Sequence, residues 1–250
     1  MITILFLSAN PSETQRLQLA EECNEIDNKL RIASKGDKFR IEQHHAISVK
    51  DLSDTLMRYQ PDIVHFSGHG RDDGVLVFQD SEGHERPVPP NSLTRLFQIL
   101  NSDNDKKIRC VLLNACYAAK QAEAIAKHID SVIGMSTAIS DKAAIDFAAY
   151  FYQGLGYGKN LKTAFDLGCN QLGLKGNTTE ENTPQLICRE GINAKDISFI
   201  KTNKNNNKKQ TIRNKSGSTT ISGVKGDVIG VNVSGSGSII GKNIKVKRKI

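Results

Sequence analysis

The sequence has no long hydrophobic segment. Its apolar runs all fall well short of the roughly 20 residues that a membrane-spanning helix needs. The apolar run at residues 1–7 is also too short for a secretory signal peptide and has no basic residue ahead of it. We therefore expect a cytoplasmic protein without a membrane span.

Paired cysteines are missing as well. The cysteines are odd in number, and none shows the C-x-x-C spacing of many zinc and redox sites. This pattern favours neither a disulfide framework nor a zinc site. We expect reduced thiols and no bound metal. The five cysteines are Cys23, Cys110, Cys116, Cys169 and Cys188.

No glycine-rich phosphate loop follows the first predicted strand. That strand, Ile2–Leu7, ends in Ser-Ala-Asn-Pro, whereas a dinucleotide-binding domain carries G-x-G-x-x-G at this place. The difference disfavours a nucleotide-binding or flavin-binding domain, and we expect no cofactor.

Acidic residues are nearly missing from the last fifth of the chain. Residues 1–200 hold 22 Lys and Arg against 26 Asp and Glu, a net charge of −4. Residues 201–250 hold 12 Lys and Arg and a single acid, Asp227, which gives a net charge of +11. The positive charge of the whole chain therefore belongs to its tail, and the body is mildly acidic.

The composition of the tail indicates two segments. Residues 201–215 are polar and basic, which is typical of a solvated linker. Residues 216–250 repeat an Ile-x-Gly unit among Gly, Ser and Asn, which favours short strands and tight turns. So short a β-rich module cannot bury a core alone, and we expect it to form a homo-oligomer or dock on a partner. The tail has no aromatic residue for base stacking, which disfavours nucleic acid as a partner.

Strand and helix patterns alternate through residues 1–200. Short apolar runs are followed by segments with apolar residues at helical spacing, beginning with a helix near Leu17–Leu30 that Ser12 or Thr14 would cap. This alternation predicts an α/β domain with a mostly parallel sheet sandwiched by helices, in which ligands bind beyond the carboxyl ends of the strands. The predicted strands are Ile2–Leu7, Phe39–Ile47, Asp62–Phe66, Ile108–Leu113 and Val132–Met135, the further helices are Leu52–Tyr59, Ser92–Leu100, Ala118–His128, Asp141–Gly154 and Leu161–Leu172, and Gly74–Val88 is a predicted β-hairpin.

Two motifs follow neighbouring predicted strands and carry reactive side chains. HFSGHG places His69 just after one strand, and LLNACYAAKQA places Cys116 just after the next. A cysteine nucleophile needs an imidazole that takes its proton. The two residues are 47 positions apart, near the spacing of about 50 in caspases. The pattern favours a cysteine endopeptidase with Cys116 as nucleophile, His69 as base and a helix start that favours the thiolate.

The glycine that follows His69, Gly70, is predicted to help bind the substrate carbonyl. Gly70 lets the backbone approach the scissile carbonyl of a substrate. The backbone amides of Gly70 and Cys116 would then hold the oxyanion. His65 alternates with Phe66 along the strand and is predicted to lie in the core rather than act as the base.

These motifs, with three others, closely resemble the CHAT family of caspase-like, separase-related bacterial cysteine peptidases. The similarity covers about residues 1–195. It implies a caspase-like fold and a Cys–His dyad on Cys116 and His69. It also implies a protein substrate and an effector role in bacterial conflict or defence, under the control of an activating sensor. The matching segments are ILFLSANP, PDIVHFSGHG, LLNAC with the later Gln-Ala-Glu-Ala-Ile, VIGMSTAISDKAAIDFAAYFYQGL and KTAFDLG.

Two candidate substrate-binding residues leave the specificity open. Related metacaspases have an acid two positions before the nucleophile to bind a basic substrate side chain, whereas this chain has Asn114. Asp141 would supply the missing charge, or it is the N-cap of the helix that follows. A competing hypothesis for the whole chain is a non-catalytic caspase-like scaffold that assembles through its tail. The intact His69 and Cys116 disfavour this alternative.

Overall fold

The computed structural model divides the chain into two compact units, Met1–Lys201 and Thr202–Ile250. Both motifs of the predicted dyad lie in the first unit. The residues that the structure describes are 1–102, 108–200, 210–214 and 217–221.

A six-stranded sheet forms the centre of the first unit. The strands of the described part of this unit are β1 (Ile2–Ser8), β2 (Phe39–His44), β3 (Ile63–Ser67), β4 (His69–Gly70), β5 (Leu76–Gln79), β6 (Glu85–Val88), β7 (Cys110–Asn114), β8 (Ser131–Met135) and β9 (Pro184–Cys188). Six of them form the central sheet in the order β2-β1-β3-β7-β8-β9. Neighbours from β2 to β8 run parallel, and β9 is antiparallel to β8. The mostly parallel sheet confirms the prediction, while β9 is a strand that the sequence pattern did not indicate.

Helices cover both faces of this sheet. They are α1 (Leu19–Ile32), α2 (Val49–Tyr59), α3 (Pro90–Leu100), α4 (Ala119–Ile125), α5 (Asp141–Gly156) and α6 (Leu161–Leu174), with a 3-10 helix at Gly36–Lys38. Helices α1, α5 and α6 pack on one face, and α2, α3 and α4 pack on the other. Successive strand residues point to opposite faces, so Leu112 packs with the first set and Leu113 with the second. Among the described residues, no helix is both long enough and apolar enough to cross a membrane.

A small antiparallel sheet continues from the end of β3. The chain leaves β3 at Ser67 and enters β4 at His69, and β4 pairs with β5, which pairs with β6. Gly68 lies between the two strands, where an added Cβ would come within 2.9 Å of the Ala9 carbonyl oxygen. Strands β5 and β6 confirm the predicted hairpin at Gly74–Val88. His69 is thus part of the same small sheet as the hairpin.

The segment between β1 and α1 is longer than the sequence pattern predicts. Helix α1 begins at Leu19, and its N-cap residue, Gln18, makes no capping hydrogen bond through its side chain. The predicted caps, Ser12 and Thr14, lie well before the helix and are not its caps. We name residues 9–18 the β1–α1 loop.

The described part of the second unit is a pair of antiparallel strands. Strand β10 (Gln210–Asn214) pairs with β11 (Gly217–Ile221). Strand β10 lies within residues 201–215, the segment that the sequence assigns to the linker. The rest of the Ile-x-Gly repeat, residues 222–250, lies outside the described residues. The roles assigned to the linker and to the tail therefore stay predictions.

Candidate active site

The two motifs of the predicted dyad meet at the carboxyl edge of the central sheet. The last residues of β3 and β7, Ser67 and Asn114, are paired in the sheet. Just beyond this pair, the Gly68 amide donates to the Asn114 carbonyl at 3.3 Å. His69 and Cys116 each follow two residues later. Two neighbouring parallel strands therefore deliver both residues to one place.

Gly70 brings the backbone that carries His69 against the backbone of Cys116. A Cβ atom added to Gly70 would lie 2.0 Å from the Cys116 carbonyl oxygen and 3.4 Å from its amide nitrogen. The first distance is far below van der Waals contact, so only glycine fits without a shift of the backbone. This contact is direct geometric support for a site shared by His69 and Cys116.

The β1–α1 loop holds the imidazole of His69. The backbone carbonyl of Gln15 is a hydrogen-bond partner of the ring. Nε2 of the ring is buried and has no hydrogen-bond partner within the described residues. An imidazole that carries its proton on Nδ1 has a lone pair on Nε2 and accepts a proton there.

The surroundings of His69 keep its imidazole neutral. Burial lowers the pKa of His69 below its ordinary value, because desolvation disfavours the imidazolium. The Gln15 carbonyl and the carboxylates of Glu85 and Asp141 partly oppose this lowering of the pKa. A neutral imidazole is ready to accept a proton, and the two carboxylates stabilise the cation that results.

Cys116 lies on a turn between β7 and α4. Its half-buried thiol is directed at the Ile139 carbonyl, 3.7 Å from Sγ. The next residue, Tyr117, has a φ of 57°, in the left-handed region, and its amide donates to the Thr137 carbonyl at 3.2 Å. Helix α4 begins only at Ala119 and has seven residues. The strand therefore does not pass directly into a helix at Cys116, and the tight turn presents the thiol.

The other four cysteines have surroundings that suppress reactivity. Burial raises the pKa of Cys23, Cys110 and Cys169 to about 12 and also raises the pKa of Cys188. Thiols with a raised pKa stay protonated near neutral pH, and the thiolate is the nucleophile. The structure thus leaves Cys116 as the candidate nucleophile.

The backbone amide of Gly70 is not used by the small sheet. The Arg71 amide donates to the Val75 carbonyl at 2.9 Å. Hydrogen-bonded and non-hydrogen-bonded pairs alternate along antiparallel strands. Because Arg71 and Val75 form a hydrogen-bonded pair, the next pair, Gly70 and Leu76, is not hydrogen-bonded. The Gly70 amide therefore points away from β5, which leaves it available to a developing oxyanion.

Asn114 lies beneath the dyad rather than in an open groove. It is 4% exposed, and its Nδ2 donates to Glu22 Oε1 at 2.5 Å and to the Ala144 carbonyl at 3.1 Å. Its Oδ1 is buried and has no hydrogen-bond partner within the described residues. This oxygen lacks a partner but is not accessible, so nothing here tests a substrate-binding role for Asn114, which stays a prediction.

Asp141 ties the β1–α1 loop to helix α5. Its Oδ2 accepts a hydrogen bond from the Gln18 amide at 2.9 Å. The prediction that Asp141 is the N-cap of α5 is wrong, because Ser140 holds that position and its Oγ accepts from the Ala143 amide at 3.3 Å. The carboxylate is half-buried and raises the pKa of His69, so it lies close to the dyad.

Sequence reasoning missed the β1–α1 loop as a part of the site. The loop is bound to the hairpin as well, because the Ser12 amide donates to the Gly83 carbonyl at 3.0 Å and Glu13 Oε2 accepts from the Glu85 amide at 3.1 Å. It contacts His69 through the Gln15 carbonyl. Every residue has a carbonyl, so no residue type in the sequence marks this contact.

A buried polar cluster lies under the dyad and was also missed. Glu22 on α1 is 2% exposed and accepts hydrogen bonds from Ser67 and Asn114. His65 is fully buried, as predicted, with Nε2 2.9 Å from Glu22 Oε1 and Nδ1 3.3 Å from the Tyr152 hydroxyl. The sequence does contain a signal for Glu22. It lies three residues after Leu19 on the buried stripe of α1, where an acid is out of place.

Two longer proteins share about two thirds of this chain. A "probable protease" of Gillisia limnaea is 28% identical over 162 residues, which are 64% of this chain and 28% of that protein. A "Roc-COR-CHAT protease" of an unknown prokaryotic organism is 27% identical over 161 residues, which are 63% of this chain and 15% of that protein. The chain therefore spans well under a third of either relative.

Solved structures with the same fold include cysteine proteases. One is a secreted cysteine protease of Bacteroides thetaiotaomicron in complex with an irreversible peptide inhibitor, with a TM-score of 0.54, 11% identity and coverage of 74% of this chain and 66% of that one. Another is the Arg-specific cysteine proteinase gingipain R, with a TM-score of 0.52, 12% identity and coverage of 75% and 46%. At this identity the likeness shows the fold alone, which is caspase-like.

The family itself follows from the sequence match. A family model described as the CHAT domain matches residues 3–167. This range includes β2 to β8, all of β1 except Ile2, both predicted dyad residues and the β1–α1 loop. The chain belongs to the CHAT domain family.

Proposed function

We propose that this chain is a cysteine endopeptidase with Cys116 as nucleophile and His69 as general base. The observation that carries the proposal is the contact of Gly70 with the backbone of Cys116, because it joins the segment of the base to the segment of the nucleophile. The buried, unpartnered Nε2 of His69, judged within the described residues, supports it independently. The protease names of the longer relatives agree with this chemistry.

The proposed reaction begins with proton transfer from the Cys116 thiol to His69 Nε2. The thiolate attacks the scissile carbonyl carbon, and the proton passes from His69 to the leaving amine as the C–N bond breaks. Water then attacks the thioester, His69 takes a proton from that water, and the thiol is restored when the C–S bond breaks. The backbone of Gln15 lies beside the imidazole, so the β1–α1 loop would help to keep the ring in place during these steps.

Two backbone amides serve the oxyanion in this scheme. The Gly70 amide points away from β5, and the Cys116 amide lies beside it because the two backbones are in contact. Amides that are already oriented stabilise the charge without reorganisation, and one such donor is typically worth about 10²–10³-fold in rate.

The proposal extends to a biological role. The protease would cleave a partner protein in the cytoplasm as a regulated effector in bacterial conflict or defence, and a separate sensor would activate it. One longer relative, the Roc-COR-CHAT protease, joins CHAT to further parts in its name, which agrees with a peptidase that is coupled to other modules. The β-rich module at residues 216–250, of which β11 is described, is the candidate surface for assembly.

Cleavage of peptides by matched variants tests the proposal. Wild type, Cys116→Ala and Cys188→Ala are incubated with a peptide library made from bacterial protein, and mass spectrometry reads the new termini. We expect new termini from wild type and Cys188→Ala and none from Cys116→Ala. The same termini from Cys116→Ala would refute the dyad. The scaffold hypothesis predicts that wild type and Cys116→Ala behave alike even when the activating partner is present, and that assembly is lost when residues 201–250 are deleted.

A further inference from the structure

The polar cluster under the dyad is centred on one carboxylate that contacts two strands. Glu22 Oε2 accepts from the Ser67 hydroxyl at the end of β3, and Oε1 accepts from Asn114 Nδ2 at the end of β7. His65 Nε2 on β3 lies 2.9 Å from the same Oε1. Glu22 itself comes from α1, which packs on this face of the sheet. A single buried side chain therefore bridges the ends of two neighbouring strands.

An acid at this place has an energetic cost. A buried carboxylate loses its hydration, and hydrogen bonds or charges must compensate for that loss. A leucine on the same stripe of α1 would be buried favourably without it. Hydrophobic contact is non-directional, whereas hydrogen bonds from donors on two strands fix the positions of those donors. The carboxylate thus restrains geometry in a way that an apolar side chain does not.

We propose that Glu22 is a positioning residue of the proposed protease. Its carboxylate fixes the ends of β3 and β7 relative to each other, and so holds His69 at working distance from Cys116. Ser67 and Asn114 precede these two residues by only two positions, so a shift at either strand end moves a reacting group. A misplacement of about 1 Å in an active site costs on the order of 10²-fold in rate. The inference rests on the proposed function, since it gives Glu22 a role only if His69 and Cys116 react together.

Three variants distinguish the effect of the hydrogen bonds that Glu22 makes from the effect of the volume that its side chain fills. Glu22→Leu keeps an apolar side chain of similar size and removes the bridge. Glu22→Gln restores it, because an amide oxygen accepts from Asn114 and the amide nitrogen donates to the Ser67 hydroxyl. Glu21→Leu is the matched control, since Glu21 is the exposed neighbour on α1.

Two readouts on the full chain report the positions of the reacting groups. The first is the rate of carboxamidomethylation of Cys116 by iodoacetamide, with the labelled cysteine identified by mass spectrometry. The second is kcat and KM for a library peptide that wild type cleaves, with active sites counted by an irreversible peptide inhibitor. Counting active sites removes the effect of any unfolded fraction.

We expect Glu22→Leu to lower kcat per active site by about 10²-fold with KM changed by less than about threefold. It should also slow the labelling of Cys116 by roughly tenfold, because His69 no longer takes the thiol proton efficiently. Glu22→Gln should recover most of both rates. Glu21→Leu should behave as wild type.

Two results would overturn the inference. One is a Glu22→Leu protein whose kcat per active site and labelling rate stay within about twofold of wild type, as expected for a residue that only stabilises the fold. The other is a Glu22→Gln protein that is as impaired as Glu22→Leu. His69→Ala separates this outcome from a failure of the proposed function. If His69→Ala leaves both rates at the wild-type value, the dyad itself is wrong, whereas a loss in His69→Ala without a loss in Glu22→Leu rejects Glu22 alone.

Discussion

The two faces of the central sheet differ most where β3 and β7 end. On the face covered by α2, α3 and α4, the last inward residues are Phe66 and Leu113, both buried in an apolar core. On the opposite face, the same two strands end in Ser67 and Asn114, which are buried and polar. His69 and Cys116 follow these two polar residues at the same spacing in each strand. Both faces bury an apolar core, but at these strand ends only the face of α1, α5 and α6 carries buried polar groups beneath the site.

This difference indicates that stability of the sheet and positioning of the reacting groups depend on different residues. The face covered by α2, α3 and α4 buries apolar side chains at these strand ends, and this burial stabilises the strands on which the site depends. The opposite face carries the desolvated carboxylate of Glu22, whose burial is compensated by hydrogen bonds from Ser67 and Asn114. Variants of the polar groups at the ends of β3 and β7 should therefore change the rate, and variants of apolar core residues should change stability.

We expect the largest loss of activity from Gly70→Ala, at the site above the polar strand ends. The added Cβ would lie 2.0 Å from the Cys116 carbonyl oxygen, so the backbone of the nucleophile must move. We expect kcat/KM to fall by about 10²-fold or more. Gly173→Ala is the control, because a Cβ there would meet only the movable carboxylate of Glu181. If Gly70→Ala keeps the wild-type kcat/KM, the close contact of Gly70 with the Cys116 backbone is not needed for activity, which would contradict the account.

A smaller effect on activity, with a clear effect on stability, is expected from Leu56→Ala. Leu56 on α2 is 2% exposed and packs in the apolar core of the other face. Its truncation should lower the free energy of unfolding by about 2–5 kcal/mol, because a cavity replaces buried methyl groups. Urea unfolding measures the loss, and kcat per active site should stay at the wild-type value. An equal loss of kcat per active site would show that the two faces are not separable.

We expect the smallest change in activity from Asp141→Asn, which should only shift the pH profile of kcat/KM. Asn retains an oxygen that accepts from the Gln18 amide, but it removes a charge that raises the pKa of His69. The pKa of His69 should then fall further below its ordinary value. The acid limb of the pH profile of kcat/KM should shift to lower pH, since less acid is needed to keep His69 neutral at any given pH. Asp166→Asn on α6 is the control, and a shift to higher pH in Asp141→Asn would contradict the account.

The sequence predicted the parts of the site that depend on residue type. His69 and Cys116 stand in short motifs after apolar strands, and parallel strands end at a common edge, so their proximity follows from the strand order. The hairpin after Gly74 is marked by its turn glycines and its composition. Local pattern and fold class together were enough for these features.

The remainder of the site depends on tertiary contacts that carry little local signal. The Gln15 carbonyl is a backbone group, and the late start of α1 at Leu19 has no capping residue to mark it. The left-handed Tyr117, which separates Cys116 from α4, is not a residue type that favours this conformation. Glu22 is the exception, because an acid on a buried helical stripe is visible in the sequence, although its two partners on β3 and β7 are not.

The most direct test of the central claim is covalent labelling with an irreversible peptide inhibitor. The full-length wild-type chain and the His69→Ala variant are treated in parallel, and mass spectrometry identifies the labelled residue and its rate. The account predicts that Cys116 carries the label in wild type and that His69→Ala slows this labelling by roughly 10²-fold or more, the range for loss of a general base. Labelling of Cys169 or Cys188 in place of Cys116, or a rate that His69→Ala leaves unchanged, would contradict it.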